Sequence, residues 1–285
     1  MDCYFVSDLH IDSWLPDLTP GSKRSASYHK WMDSNLLPAD ILCIAGDVAD
    51  NSRVFSDFMI ACRNRYKYVV YVYGNHDVGV FDNEYESSSL KIEAMNTWVE
   101  NFGQLCTSAH KIKTKFFRLD GNQPVDVGEC SFAGAMGAPD WSYAKTVLGS
   151  TDKAFKKLWK VGLEKSGWIN WWSNDLFEIA ADEKARLKRA VELEVPNVVV
   201  SHYVPLGMPA PKQYARKKLT GLFYWDVNDI INMLPSGTIW HYGHTHVANK
   251  MERNGVLYLS NPIGLPGQNV NLLGDFKKED FLITL

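Results

Sequence analysis

Five apolar runs in this chain end on an imidazole, a carboxylate or an amide. Tyr68-Val69-Val70-Tyr71-Val72-Tyr73 is β-branched or aromatic throughout, the composition of a strand buried on both faces, and it delivers Gly74-Asn75-His76-Asp77 to its C-terminal end. Cys3-Tyr4-Phe5-Val6-Ser7 runs into Asp8-Leu9-His10, and Ile41-Leu42-Cys43-Ile44-Ala45 runs into Gly46-Asp47-Val48-Ala49-Asp50. Val198-Val199-Val200-Ser201 stops at His202, and Thr238-Ile239-Trp240-His241-Tyr242 stops at Gly243-His244-Thr245-His246. A Gly-Asn pair alone is an ordinary turn former. Five strand ends carrying metal-ligand residues constrain the fold far more, because one site assembled from residues 8 to 246 requires one domain that brings them to one edge.

In chain order the five clusters read D-x-H, G-D-x-x-D, G-N-H-D, a strand-terminal H and G-H-x-H. Each is weak by itself, but the ordered series resembles that of the calcineurin-like metallophosphoesterases. The resemblance implies a four-layer α/β/β/α sandwich, two mixed β-sheets flanked by helices, formed by a single domain over residues 1–285. Strand–helix alternation independently supports a mixed α/β fold, though not the second sheet.

The resemblance also implies a chemistry. Phosphate esters resist hydrolysis because their oxygens repel an anionic nucleophile and the leaving alkoxide is poor. Two metal ions about 3.5–4 Å apart answer both problems. Carried over position by position, Asp8, His10, Asp47 and His246 would hold the first ion, and Asp47, Asn75, His202 and His244 the second. Asp47 would bridge them. Imidazoles mixed with carboxylates and one amide suit manganese, iron, zinc or nickel better than calcium. His76 matches the family's non-ligand histidine at the leaving oxygen or phosphoryl group, and Asp50 the acid that orients it. Asp77 is expected to bind nearby backbone; His29, His110 and His241 to be structural or on the surface; and Asp12 and Asp82 to be solvated.

The implied activity is hydrolysis of a phosphate mono- or diester, on a small substrate with nucleotide derivatives among the candidates, by metal-activated hydroxide. A DNA or RNA nuclease of the same family is the alternative, and a scaffold that has lost catalysis is a weaker one, since every ligand position is filled. The net charge of −3 does not favour nucleic acid. The protein-phosphatase pattern G-D-x-x-D-R-G is broken, because Asn51 and Ser52 follow Asp50. Five cysteines without a C-x-x-C pair, no leader before the first strand and no apolar run near the roughly 20 residues of a membrane span lead to the expectation of a cytoplasmic protein.

Between the motifs, helices are expected over Tyr28 to Leu37, Ser52 to Arg65, Glu86 to Phe102 (ended by Gly103), Asn174 to Leu193, and Asp226 to Leu234 with Asp226 as N-cap. Lys111 to Phe116 reads as an edge strand guarded by lysines, Cys130 to Gly134 as another strand, and Met251 to Leu259 and Phe281 to Leu285 as two closing strands. Two stretches fall outside this pattern. One is an aromatic-rich insertion around 140–172 with Trp141, Trp159, Trp168, Trp171 and Trp172; the other is a loop over 204–223 with Lys212, Arg216, Lys217 and Lys218. Together they are expected to form a partial lid over an anionic substrate.

Overall fold

Strands buried on both faces need helical crossovers, and crossovers make neighbouring strands parallel. The computed structural model describes residues 1–16, 22–63, 65–81, 85–108, 114–166, 176–268 and 275–285. In chain order its first half runs β1 (Asp2–Val6), α1 (Ile11–Trp14), α2 (Ser22–Asn35), β2 (Ile41–Ala45), α3 (Ser52–Cys62), β3 (Tyr68–Val72), α4 (Asn75–Val78), α5 (Ser88–Ser108) and β4 (Lys115–Arg118). There follow β5 (Val125–Val127), β6 (Cys130–Ala135), α6 (Ser142–Thr146), α7 (Asp152–Ser166), α8 (Leu176–Leu193), β7 (Val198–Ser201), β8 (Val204–Pro205) and β9 (Tyr224–Trp225). The chain closes with α9 (Asn228–Ile231), β10 (Ile239–His241), β11 (Asn249–Arg253), β12 (Val256–Ser260) and β13 (Leu282–Thr284).

Two mixed sheets result, one ordered β13-β1-β2-β3-β4 and the other β11-β12-β10-β7-β6-β5. In the first, β1 to β4 are parallel and β13 is antiparallel at the edge. In the second, β12, β10, β7 and β6 are parallel, with antiparallel β11 and β5 outside them. Helices α2, α3 and α5 pack beside the first sheet, and α8 with α9 beside the second. The sheets face one another through apolar residues and a few polar ties. Asn261 Nδ2 donates to Phe5 O at 2.7 Å, and His241 lies edge-on to Phe5. This is the expected four-layer arrangement, and it brings the C-terminal ends of β1, β2, β3, β7 and β10 to one edge, where open α/β sheets bind ligands.

Several local expectations need correction. The closing strand expected over Met251 to Leu259 is a hairpin: Asn254 and Gly255 take φ values of 53° and 79°, the two left-handed positions of a type I′ turn. Helix α5 does not stop at Gly103 but continues to Ser108, since an interior glycine costs only about 1 kcal/mol against alanine. Met95 and Lys91 of this helix are buried, with Ile92 and Trp98 packed against the core, while Leu90 is 46 % exposed. Helix α9 is a single turn whose first residue is Asn228, and Asp226 Oδ1 accepts the Asn228 N–H from outside it. The guarded edge strand is present as β4, starting at Lys115; Lys111 to Lys113 lie outside the described residues. Of the aromatic-rich insertion, α6 and α7 are described; Trp168, Trp171 and Trp172, and the side chain of Trp159, lie outside the described residues, as do Asp82 and His110.

Candidate metal centre

Turning a buried strand into a site within two residues demands unusual backbone. Asp8, His10, Asp47, His244 and His246 all have positive φ, between 44° and 72°. Asp and His tolerate this region better than most side chains, yet each such residue still costs about 1 kcal/mol or more. The strain is held by a dense set of bonds. Asp8 N–H donates to Gly46 O and His10 N–H to Asp47 O, both at 3.0 Å. The Asp77 carboxylate accepts four backbone N–H groups, from Gly74 (2.7 Å), Asp47 (2.9 Å), Val48 (2.8 Å) and Ala49 (3.0 Å). Asp77 thus has the backbone role expected of it. Gly74 is required by proximity, because a Cβ there would land on the Asp47 carboxylate.

The side chains fall into two groups that share one residue: Asp8, His10, Asp47 and His246, and then Asp47, His202 and His244, with ligand atoms in each group within 4.8 Å of one another. Asn75 joins the second group, its Oδ1 lying 2.8 Å from His202 Nε2. His10 Nε2 and His246 Nε2 are 3.0 Å apart, and His202 Nε2 is 3.1 Å from His244 Nδ1 and 3.4 Å from Asp47 Oδ2. All seven residues expected as ligands are therefore brought together.

The donor set fits a cation. His202 Nδ1 faces the Ala45 carbonyl at 2.8 Å and His246 Nδ1 faces Gln268 Oε1 at 2.9 Å, so each ring commits its N–H outward and turns a lone pair inward. Around His202 Nε2 stand an amide oxygen, a carboxylate oxygen and another imidazole nitrogen, an acceptor-rich cluster that only protons or a cation can reconcile. Burial keeps His10 neutral, lowering its pKa to about 3, and holds His244 well below the ordinary range. For His202, burial opposes protonation but the Asp47 carboxylate outweighs it and raises the pKa to about 9. A cation in the same place would displace that proton.

His76 and Asp50 stand beside the two groups. His76 N–H donates to Asp47 Oδ1 at 2.8 Å, and its Nδ1 is 2.5 Å from Asp50 Oδ1. The ring stacks on Phe81, meets His10 edge-on at 4.8 Å, and keeps 35 % of its side chain exposed. Burial opposes its protonation, but Asp47 and then Asp50 prevail, so its pKa rises to about 9.

Three residues around the site escape sequence reasoning. Asp12, expected to be solvated, instead accepts the Asp50 N–H at 2.7 Å and the Asn51 N–H at 3.3 Å. Lys91 is buried and donates to the carbonyls of Asp50 and of Gly79, the latter at 2.6 Å. Gln268, which fixes the His246 ring, also accepts the Leu265 N–H. A cation at the i−4 position of buried Met95 was the available signal for Lys91; Gln268 had none. His241 is a structural residue within the sheets and His29 is on the surface, as expected.

Comparison with known proteins agrees with this geometry. A family model described as calcineurin-like phosphoesterase matches residues 1–248. The uncharacterized protein L509 of Acanthamoeba polyphaga mimivirus is 23 % identical over 288 aligned positions, spanning 94 % of this chain and 92 % of its own. A solved structure of the phosphopantetheinyl hydrolase PptH from Mycobacterium tuberculosis superimposes with a TM-score of 0.66 at 15 % identity, covering 98 % of this chain and 94 % of PptH. At that identity the likeness is one of fold.

Proposed function

This chain belongs to the calcineurin-like phosphoesterase family, and on that premise we propose that it hydrolyses a phosphate mono- or diester at a pair of transition-metal ions. The observation that carries the reading is Asp47, the one residue shared by both ligand groups. Asp8, His10, Asp47 and His246 would hold one ion, and Asp47, Asn75, His202 and His244 the other. When bound, such a pair supplies charge neutralisation at the phosphoryl oxygens and a nucleophile at neutral pH.

The chain's own residues do the rest. Asn75 contributes a neutral oxygen, so the centre keeps net positive charge for the substrate. His76, held at Nδ1 by Asp50 and 35 % exposed, gives a proton to the departing alkoxide or a hydrogen bond to the phosphoryl group. Asp12 and Lys91 grip the Asp50 backbone at its N–H and C=O, which fixes the dyad without touching substrate.

The test is a metal-reconstituted screen of aryl phosphate monoesters, aryl diesters, cyclic nucleotides and single-stranded DNA, with metal analysis alongside. Metal-dependent turnover of a small ester and up to two ions per chain are expected. Activity confined to DNA would replace the reading with a nuclease, and no turnover by fully loaded protein would leave a scaffold.

A further inference from the structure

From Val195 to Trp225 the sequence has no acidic residue, yet it carries Lys212, Arg216, Lys217 and Lys218, in a chain whose net charge is −3. Several cations elsewhere are paired: Arg65 with Asp33, Lys67 with Asp40, Arg118 with Asp120, Lys184 and Lys188 with Asp229. None of the four loop cations meets a carboxylate among the described residues; Lys217 rests only over the Tyr214 ring at 5.2 Å. Arg216, Lys217 and Lys218 are consecutive and, like Lys212, exposed, a concentration of like charge that favours the arrival of an anion.

The strap that carries them is held in place. Its ends pair as β8 and β9, with Val204 opposite Tyr224. Tyr143 of α6 donates from its hydroxyl to Ala215 O at 3.2 Å and stacks on Tyr224 at 4.2 Å. Gly221 lies so close to the insertion that a Cβ would meet Phe155 at 2.6 Å and Ala144 at 2.8 Å. Phe223 then packs edge-on against the ring of His244 at 5.1 Å. Insertion, strap and metal centre are thus mechanically continuous. A cavity of about 200 Å³ lies between the strap and the segment that carries the ligand histidines, bounded by Pro209, Pro211 and Lys212 on one side and by Tyr242, Thr245 and Asn249 on the other. Thr245 stands between His244 and His246 in the chain.

We propose that the strap receives a second anionic group of the substrate, so that the substrate class is a small phosphoester bearing a further phosphate or carboxylate besides the scissile phosphate. The inference rests on the phosphoesterase reading above. A cavity of this size at the strap suits a small-molecule substituent rather than a polynucleotide, which needs a broad basic surface.

The experiment uses the metal-reconstituted full chain with para-nitrophenyl phosphate, bis(para-nitrophenyl) phosphate, and the analogue of each that carries a carboxylate or a second phosphate on the ring. The parent should show a KM about tenfold lower for the doubly anionic member of the pair it turns over. Replacing Lys212, Arg216, Lys217 and Lys218 together by Ala should abolish that difference with kcat within about twofold, and rising salt should shrink it in the parent. The dissociation constant of a matching non-hydrolysable phosphonate, measured by calorimetry, should follow KM. A variant that exchanges Lys for Arg and Arg for Lys at the four positions should keep the preference; if it loses it, the strap is only structural and the inference fails. Equal KM values in the parent for the members with one and with two anionic groups, or an equal rise on both in the Ala variant, would also overturn it. So would an Ala variant that loses binding of a single-stranded oligonucleotide while handling the doubly anionic ester as the parent does. A parent inactive on every ester would instead refute the phosphoesterase reading.

Discussion

The metal centre and the strap beside it treat charge in opposite ways. At the centre nearly every polar atom is committed: Asp77 takes four backbone N–H groups, His202 leans on Ala45, His246 on Gln268, and His76 on Asp50. On the strap four exposed cations meet no carboxylate among the described residues. The centre is preorganised, with its reorganisation cost met during folding, as electrostatic catalysis requires. The strap leaves its charge to be satisfied by what binds, which is how a surface selects a ligand rather than transforms it. Changes at the centre should therefore act on kcat, and changes on the strap on KM.

The largest effect should come from Asp47→Asn. The amide keeps an oxygen for the His76 N–H but removes the charge shared by both ligand groups. Activity should fall by about three orders of magnitude or more, with at least one ion lost by elemental analysis and the far-ultraviolet circular dichroism of the metal-free protein unchanged. Retention of two ions and of activity would show that the shared carboxylate does not organise the centre.

Next in size is His76→Asn. Both ions should stay bound, and turnover should drop by about 10²–10⁴ on alkyl esters and much less on aryl esters, because a proton donor matters most when the leaving group is poor. Equal losses on both ester types would assign His76 to phosphoryl binding. Lys91→Met, one step further out, should cost about tenfold on alkyl esters by loosening the Asp50 mount. If that coupling is real, adding Lys91→Met to His76→Asn should cost no further activity; additive losses would make Lys91 an independent structural element.

The same contrast explains what could be read from sequence. Ligand chemistry admits few residue types, and the left-handed strand ends favour Asp, His and Gly, so Asp8, His10, Asp47, His244 and His246 announce themselves twice. The parallel strands were legible in their unbroken apolar runs. Gln268 was not, because a carbonyl oxygen for His246 can come from anywhere a loop returns; nor was Asp12, whose role depends on the Asp50 backbone folding over it. The hairpin at Asn254-Gly255 carried its signal openly, but Met251 and Val256 to Leu259 on either side blurred it into one apolar strand. The division of eleven of the thirteen strands between two large sheets among the described residues is set by contacts such as Ser7 with Pro262, far apart in sequence.

The smallest effect tests whether titration in the sheet interior can be separated from the centre. His241 lies on the strand that leads to His244 but inside the sheets, fully buried, with Nε2 2.9 Å from Val6 O and Nδ1 3.2 Å from Leu259 O. Burial lowers its pKa to about 4, while the two carbonyls act the other way. In the unfolded chain a histidine titrates near 6.5. Between these values the unfolded state binds a proton that the folded state refuses, so the stability contribution is intact above about pH 6.5 and is lost as pH falls toward 4. For metal-free protein, where ligand release plays no part, the loss between pH 7.5 and 4.5 should amount to about 2 kcal/mol. His241→Gln has no such proton to refuse, so its denaturant-derived stability, though lower at pH 7.5, should fall less steeply on acidification than that of the parent. Parallel curves for the two proteins would mean that the folded state protonates His241 as readily as water does, with the Val6 and Leu259 carbonyls sharing an imidazolium between the sheets.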